Sequence, residues 1–457
     1  MSEELTLRDL SQRSGQPPER LEEWRSLGLI GRGDAEAFGP EDVKRARLIR
    51  LLLRRGVSLE EIARAERRDG FLARYVDEVF PGGFQPACSL REASERLGSD
   101  LDAMRRLLAA SGLAEEGEPL HEEDVQALQA MKVALEAGFP EEALIQLMRV
   151  YVDALGRVAE AEVRLFHFYV HERLKAQGLS GRELIEADVG ARDRMIPLIE
   201  PLILYFHHKG FERARVDDAV MHLQEDLGSP EKAEVPGQLS LAILFVDLSS
   251  FTPLAEAMGD QAAARVLDRF SQLVREAVSR REGRVVKQLG DAFMLVFPEP
   301  GPAVACALEI EERTAAEPQF PAARAGVHWG PVLYREGDYL GTSVNVAARL
   351  ADEAQRHQVL ATAAVRREAS GLPDVEFVPI GKRRLKGLTE ELELFEVRAG
   401  AVGRTGERLV DPVCGMELGA DEVAATLSFE GRDRGFCSQE CLRRFVATPA
   451  RYGAEAP

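Results

Sequence analysis

The chain has 457 residues, 45% of them hydrophobic and 30% charged, with a net charge of −19 at neutral pH. That length suggests about three domains, and the composition suits soluble domains with a full core. The negative charge opposes free attraction to nucleic acid or anionic membranes while leaving room for a local basic face. The start, MSEELTLRDL, has no apolar core segment of the secretory kind. Residues 5–70 read as short helices: LRDLSQRSG, PPERLEEWRSLGL, PEDVKRARLIRLLLRRG and SLEEIARAERR. Pro17 and Pro18 suit a helix start and Ser58 suits an N-cap. The pattern returns further along: LRDLSQRSG from Leu7 matches LREASERLG from Leu90, RSLGLI from Arg25 matches AASGLA from Ala109, and the helix from Pro40 matches the one from Glu122. This is an internal repeat of a helical unit. Long helical stretches over roughly 141–176 and 181–225 follow. Their most apolar run, Met195 to Phe206, is too short to cross a bilayer and contains Glu200 and two prolines. A cytoplasmic location without a membrane partner is expected.

The segments LTLRDLSQRSGQPPERLEEWRSLGLI and DVKRARLIRLLLRRGVSLEEI resemble the winged-helix unit of the mercury-resistance-regulator (MerR-like) family. The resemblance implies a helix-turn-helix over residues 1–72. Its charges disfavour DNA as a partner. The recognition-helix equivalent carries Glu19, Glu22 and Glu23 against Arg20 and Arg25, and the wing equivalent, GRGDAEAFG, has one Arg and two acids. A DNA reader needs several cations facing phosphates. The second repeat with its extension, residues 85–225, resembles the regulatory domain found upstream of certain actinobacterial adenylate cyclases. His121, His167, His171, His207, His208 and His222 lie there, and histidine titrates near neutrality, although solvated histidines on helices need no such role.

DLGSPEKAEVPGQ, residues 226–238, reads as a linker. Residues 239–398 then alternate β-rich runs with amphipathic helices, the pattern of an α+β or α/β domain. VDLSSFT puts Asp247 at the end of an apolar strand, before a helix beginning near Thr252. KQLGDAFMLVF puts Gly290 and Asp291 at a hairpin tip, four residues after Lys287. DYLGTSVNVAAR places Asn345 and Arg349 on one face of a helix after a Gly turn. LKGLTEE puts Lys386 in a late loop. Carboxylates at adjacent strand ends can hold hard divalent cations that share oxygens with phosphates. Backbone N–H groups from Leu248 to Thr252 can cradle phosphate. Singly, each feature has an ordinary reading as a cap, a turn residue or a surface charge.

In this order and spacing, residues 239–398 resemble the catalytic domain of class III nucleotidyl cyclases. The resemblance implies a ferredoxin-like core acting as a head-to-tail homodimer. It casts Asp247 and Asp291 as ligands of two Mg²⁺ or Mn²⁺ ions per site. Lys287 and Asp338 match the pair that hydrogen-bonds adenine. Asn345 orients the ribose, Arg349 stabilises charge on the α-phosphate, and Lys386 grips the terminal phosphates. The aspartates would come from one protomer and Lys287, Asp338, Asn345 and Arg349 from the other. Trp329 stands where the family often has a smaller polar residue, without evident chemical consequence.

After a second joint, RAGAVGRTGER (398–408), comes a segment with Cys414, Cys437 and Cys441 out of five cysteines in the chain. Residues 409–452 resemble the YHS domain, a short metal-associated module. Three thiolates suit Zn²⁺ or copper, with no fourth ligand evident; plain burial is the alternative. The expected fold is multidomain: an all-α N-terminal regulatory region, an α+β ferredoxin-like cyclase domain, and a small α+β cysteine-containing module. The expected activity is an adenylate cyclase that makes cyclic AMP and pyrophosphate from ATP. The rival is a nucleotide-sensing DNA-binding regulator, which the full set of cyclase residues disfavours.

Overall fold

The computed structural model describes residues 4–31, 37–80, 88–112, 120–226, 237–400, 408–420 and 422–452. Much of the expected wing and both expected joints therefore fall outside the described residues. The chain divides into two compact units, Met1–His207 and His208–Pro457. The sequence reading put that division in the 226–238 linker. It falls earlier because the last turns of a long helix go with the second unit, where Arg213 donates to the Gly283 carbonyl at 3.0 Å.

The first unit is helical: α1 (Leu7–Ser14), α2 (Pro18–Ser26), α3 (Pro40–Arg54), α4 (Leu59–Asp69), α5 (Phe71–Val79), α6 (Leu90–Leu97), α7 (Leu101–Ser111), α8 (Glu122–Glu136), α9 (Glu141–Phe166), a π-helical turn (His167–His171), α10 (Glu172–Ala176) and α11 (Gly181–Asp226), which continues through Pro197 and Pro201 into the second unit. The repeat read from sequence is structural. Thr6 with Asp9 and Ser89 with Glu92 close equivalent capping boxes, and Gly15 and Gly98 end the two helices in the left-handed region. Isolated β-bridges Leu5–Phe38 and Cys88–Leu120 close the two copies alike. Each copy has its own core, around Trp24 and Ile49 in the first and around Leu108 and Leu128 in the second. Ser58 caps α4, as expected. At the π-helical turn His171 bonds Asp188, whose other carboxylate oxygen is buried without a partner.

The second unit contains β1 (Gln238–Leu248), α12 (Phe251–Met258), α13 (Asp260–Ser279), β2 (Arg284–Leu289), β3 (Ala292–Phe297), α14 (Pro300–Ala316), β4 (Ala323–Arg335), β5 (Asp338–Leu340), α15 (Thr342–Glu353), β6 (Val359–Thr362), α16 (Ala363–Ala369), β7 (Val375–Arg383) and β8 (Leu392–Ala399). The sheet runs β2-β3-β1-β4-β6-β8-β7, with β5 paired to β4. Its first half, β2-β3-β1-β4 with helices after β1 and β3, is the expected ferredoxin-like core. Strand alternation sorts β1 between two faces. Ala242, Leu244, Val246 and Leu248 join the core under α13 and α14. Leu241, Ile243 and Phe245 face the other side, with Met294, Tyr339 and Ala347 of α15. Asp247 continues that second row and is only partly buried.

The C-terminal module has two hairpins, β9 (Leu409–Val410) with β10 (Glu417–Leu418) and β11 (Ala425–Phe429) with β12 (Arg432–Phe436), then α17 (Gln439–Ala447) and α18 (Pro449–Tyr452). It packs on the cyclase core. Leu254 and Ala263 share one buried cluster with Val413, Met416, Phe436 and Phe445. Arg451 pairs with Glu256 at 2.5 Å.

His357 fastens the same joint. Its Nδ1 lies 2.9 Å from Glu311 of α14, and its Nε2 lies 2.7 Å from Glu417 of β10, with Arg356 also near Glu417 at 3.9 Å. Burial works against the imidazolium, but the bonds to Glu311 and Glu417 outweigh it and raise the pKa above its ordinary 6.5. Burial also pushes Glu417 up, and His357 more than reverses this, so its pKa lies below 4.5. A neutral imidazole has one donor and would turn a lone pair to one of the two carboxylates. The His357 contribution is therefore complete below pH 6.5 and lost as pH rises through the raised value. The Glu417 contribution is complete above pH 4.5 and lost as pH falls through the lowered one. Limited proteolysis from pH 5 to 9 should release the tail faster at the alkaline end, and His357→Gln should flatten that profile. An unchanged profile in His357→Gln would show that the imidazole does not hold the joint.

Candidate active site and thiol cluster

Asp247 is the penultimate residue of β1, and Arg324 of β4 is its register partner. Arg324 Nη2 donates to Asp247 Oδ2 at 2.7 Å, and its Nε to the same oxygen at 3.2 Å. The hairpin of β2 and β3 turns at Gly290, in the left-handed region at φ 65°, and brings Asp291 to Asp247. Burial, then the Asp247 charge, raises the Asp291 pKa to about 6. Two carboxylates this close repel, and a cation relieves both. Their all-oxygen donor set fits the hard ions Mg²⁺ or Mn²⁺. Arg324 was missed in the sequence reading. Only the antiparallel register makes it a neighbour of Asp247.

Lys287 of β2 and Asp338 of β5 are far apart in sequence, and the sheet brings them into an ion pair through Lys287 Nζ and Asp338 Oδ2. The second Asp338 oxygen accepts from the Tyr339 N–H at 2.8 Å. The carboxylate is thus fixed and its Lys partner half-exposed. Lys287 stands opposite Met294, so it lies on the Asp247 side of the sheet.

Gly341, at φ 132°, starts α15, which buries Val346, Ala347, Leu350 and Ala351. The 3.6-residue period then leaves Asn345 and Arg349 together on the exposed face. Arg349 pairs with Asp352 at 2.8 Å. Lys386 is exposed in the β7–β8 loop, anchored by buried Leu385. Three groups result: the aspartates with Arg324, the Lys287–Asp338 pair, and the α15 pair. Among the described residues no direct hydrogen bond or ion pair joins Asp247 or Asp291 to Lys287, Asp338, Asn345 or Arg349, but Arg324 Nη1 also donates to the carbonyl of Asp352, the α15 residue that pairs with Arg349, at 3.2 Å.

The proposed backbone cradle is narrower than expected. Leu248 belongs to β1, and the Ser249 N–H is taken by the Ala322 carbonyl at 2.8 Å. The N–H groups of Ser250, Phe251 and Thr252, at the start of α12, are those left for an anion.

In the tail, Asp411 joins the three cysteines. One donor atom from each of Asp411, Cys414, Cys437 and Cys441 lies within 4.8 Å of the others. Sγ atoms of Cys414 and Cys437 are 3.5 Å apart, and those of Cys437 and Cys441 3.6 Å. Two thiolates on a tetrahedral Zn²⁺, with bonds of about 2.3 Å, would lie about 3.8 Å apart. The neighbouring Cys414 and Cys437 thiols hold the Cys441 thiol well below the ordinary thiol range. Asp411 Oδ2 accepts the Cys437 N–H at 2.8 Å and keeps a lone pair for a metal. The fourth donor escaped the sequence reading because an Asp three residues before a Cys has no metal signature of its own.

The mixed sheet thus carries paired carboxylates near the end of β1 and, on α15, an exposed Asn and Arg, and comparison with known families identifies the class as nucleotidyl cyclases. Three family descriptions match: adenylate cyclase regulatory domain over residues 36–207, adenylate and guanylate cyclase catalytic domain over 235–398, and YHS domain over 409–455. A pH-sensitive adenylate cyclase of Mycobacterium tuberculosis is 29% identical over 375 residues, covering 80% of this chain and 91% of that one. An adenylate cyclase of Glutamicibacter nicotianae is 31% identical over 287 residues, 60% of this chain and 69% of that one. An uncharacterized protein of Mycobacterium tuberculosis is 31% identical over 367 residues, 78% and 90% of the two chains. The chain belongs to the adenylate cyclase family, with that family's regulatory domain before the catalytic domain and a YHS domain after it.

Proposed function

We propose that the chain converts ATP to 3′,5′-cyclic AMP and pyrophosphate at the interface of a homodimer. The Lys287–Asp338 pair carries the reading, because a Lys donor beside an Asp acceptor matches the edge of adenine, where N1 accepts and the 6-amino group donates. Mg²⁺ or Mn²⁺ held by Asp247 and Asp291 would serve the attacking and leaving oxygens. Asn345 orients the ribose so that its 3′-hydroxyl lies in line with the α-phosphate. Arg349 meets the charge that develops there, and Lys386 holds the terminal phosphates. Arg324 holds the Asp247 carboxylate in place through two hydrogen bonds to Oδ2. No side chain acts as nucleophile.

The partner is a second copy. A head-to-tail dimer would join the aspartates of one protomer to the α15 pair of the other. Apolar side chains support association: Tyr169 is 72% and Phe206 68% exposed, and Leu289 and Leu340 stand out beside the site. Among the described residues no helix is long and apolar enough to cross a membrane. The MerR-like unit, with Glu19, Glu22 and Glu23 on or beside α2, is read as a contact surface for protein and not for DNA. The thiol cluster is read as a site for Zn²⁺ or copper.

The test is purified full-length protein given ATP or GTP with Mg²⁺ or Mn²⁺. ATP should be strongly preferred, since guanine would set its N1–H donor against the Lys287 donor and its O6 acceptor against the Asp338 acceptor. Lys287→Glu with Asp338→Cys should erode the preference. Comparable cyclic GMP and cyclic AMP formation by the unaltered protein would overturn the base assignment.

A further inference from the structure

The turn that carries Cys414 reaches the start of α12, the element placed above at the phosphates. The Gly415 carbonyl accepts from both Nη atoms of Arg356 at 2.9 Å. Arg356 Nη2 also donates to Ser250 Oγ at 2.9 Å. Ser250 sits at φ 63°, a left-handed conformation that costs a residue with a Cβ. It lies three residues after Asp247. Gly415 is at φ 74°, and a Cβ there would come within 2.5 Å of Ser250 Cβ and 2.9 Å of Arg356 Nη2. The Gly415 backbone therefore packs directly on the Ser250 side chain, with a single guanidinium bridging the two turns. Asp411 organises the other side, accepting the N–H of Val413 at 2.8 Å and of Cys437 at 2.8 Å. An ion bound by Cys414, Cys437 and Cys441 would set neighbouring Sγ atoms about 3.8 Å apart in place of 3.5 and 3.6 Å, and Gly415 directly follows Cys414.

We propose that a soft or borderline divalent cation bound by Cys414, Cys437, Cys441 and Asp411 regulates the cyclase through the chain Gly415–Arg356–Ser250, which sets the position of the first turn of α12. The cation takes thiolate sulfurs, while Mg²⁺ and Mn²⁺ prefer the oxygens of Asp247 and Asp291, so the two sites select different ions. Arg356 and Gly415 act here as positioning residues; neither touches substrate. The proposal rests on the cyclase reading only for its output. The coupling itself is a property of the fold.

The experiment uses the full chain, freed of metal and then titrated with Co²⁺ and Zn²⁺. Co²⁺ should give a thiolate charge-transfer band that the triple Cys→Ser variant lacks. Zn²⁺ should change amide hydrogen exchange over Leu248–Met258 by about fivefold or more, the low end of allosteric coupling, and change cyclic AMP formation in step. The triple variant should show neither response. Gly415→Ala should keep the Co²⁺ band and lose the exchange response, and Arg356→Lys should weaken it. Metal bound by the cysteines with exchange over Leu248–Met258 unchanged would overturn the proposal, as would equal Co²⁺ spectra for unaltered and triple-variant protein. If the exchange response holds while no cyclic AMP forms in any state, the coupling stands and the proposed activity fails.

Discussion

Asp247→Ala and Arg349→Ala should each lower cyclic AMP formation by about a thousandfold or more, the scale of removing a preorganised electrostatic group. Mixing the two inactive proteins should then restore activity. In a two-fold dimer each mixed pair has one site with both residues intact and one with neither, so random exchange gives about a quarter of full activity. The reason is the division of roles proposed for the two protomers of the dimer. Asp247 sits at the end of β1 with Arg324, while Arg349 lies on the exposed face of α15 and pairs with Asp352. Size-exclusion chromatography of differently tagged protomers confirms exchange. Exchanged dimers without recovery would place both residues in one protomer's site.

The second large effect is structural. Gly326 of β4 lies under α15, and a Cβ there would meet Ala351 N, Leu350 Cβ at 2.5 Å and Ala347 O at 2.6 Å. Two of these are backbone atoms, so no rotamer change relieves the clash. Gly326→Ala should therefore lift α15 from the sheet and cost about 3 kcal/mol or more, the upper range for overpacking. Because α15 carries Asn345 and Arg349, activity should fall even at temperatures where the protein stays folded. A melting temperature and turnover both within error of the unaltered protein would show that the helix does not rest on that strand as described.

The candidate site was legible to different depths. Asp247, Asp291, Asn345 and Arg349 stood out because each follows or starts an element whose period is plain: an apolar strand, a hairpin with Gly290 at its tip, and a helix with small apolar residues between its polar ones. The helical repeat was legible for the same reason, since caps such as Thr6 with Asp9 and Ser89 with Glu92 are local and written within three residues. The division into compact units falls before the polar linker that composition marks, because compactness follows packing, and the end of α11 packs with the second unit through Arg213 and Gly283.

By itself, then, the sequence determined what depends on neighbours along the chain: the elements, their capping, the faces of α15, and the residue types available for cations, phosphate and adenine. Tertiary structure decided what depends on neighbours across it. The β1–β4 register set Arg324 beside Asp247, the long connection around the sheet joined Lys287 to Asp338, and docking of the tail put Gly415 on Ser250 and His357 between Glu311 and Glu417. Such contacts leave no periodic trace, because chain separation carries no information about which surfaces a fold will bury together.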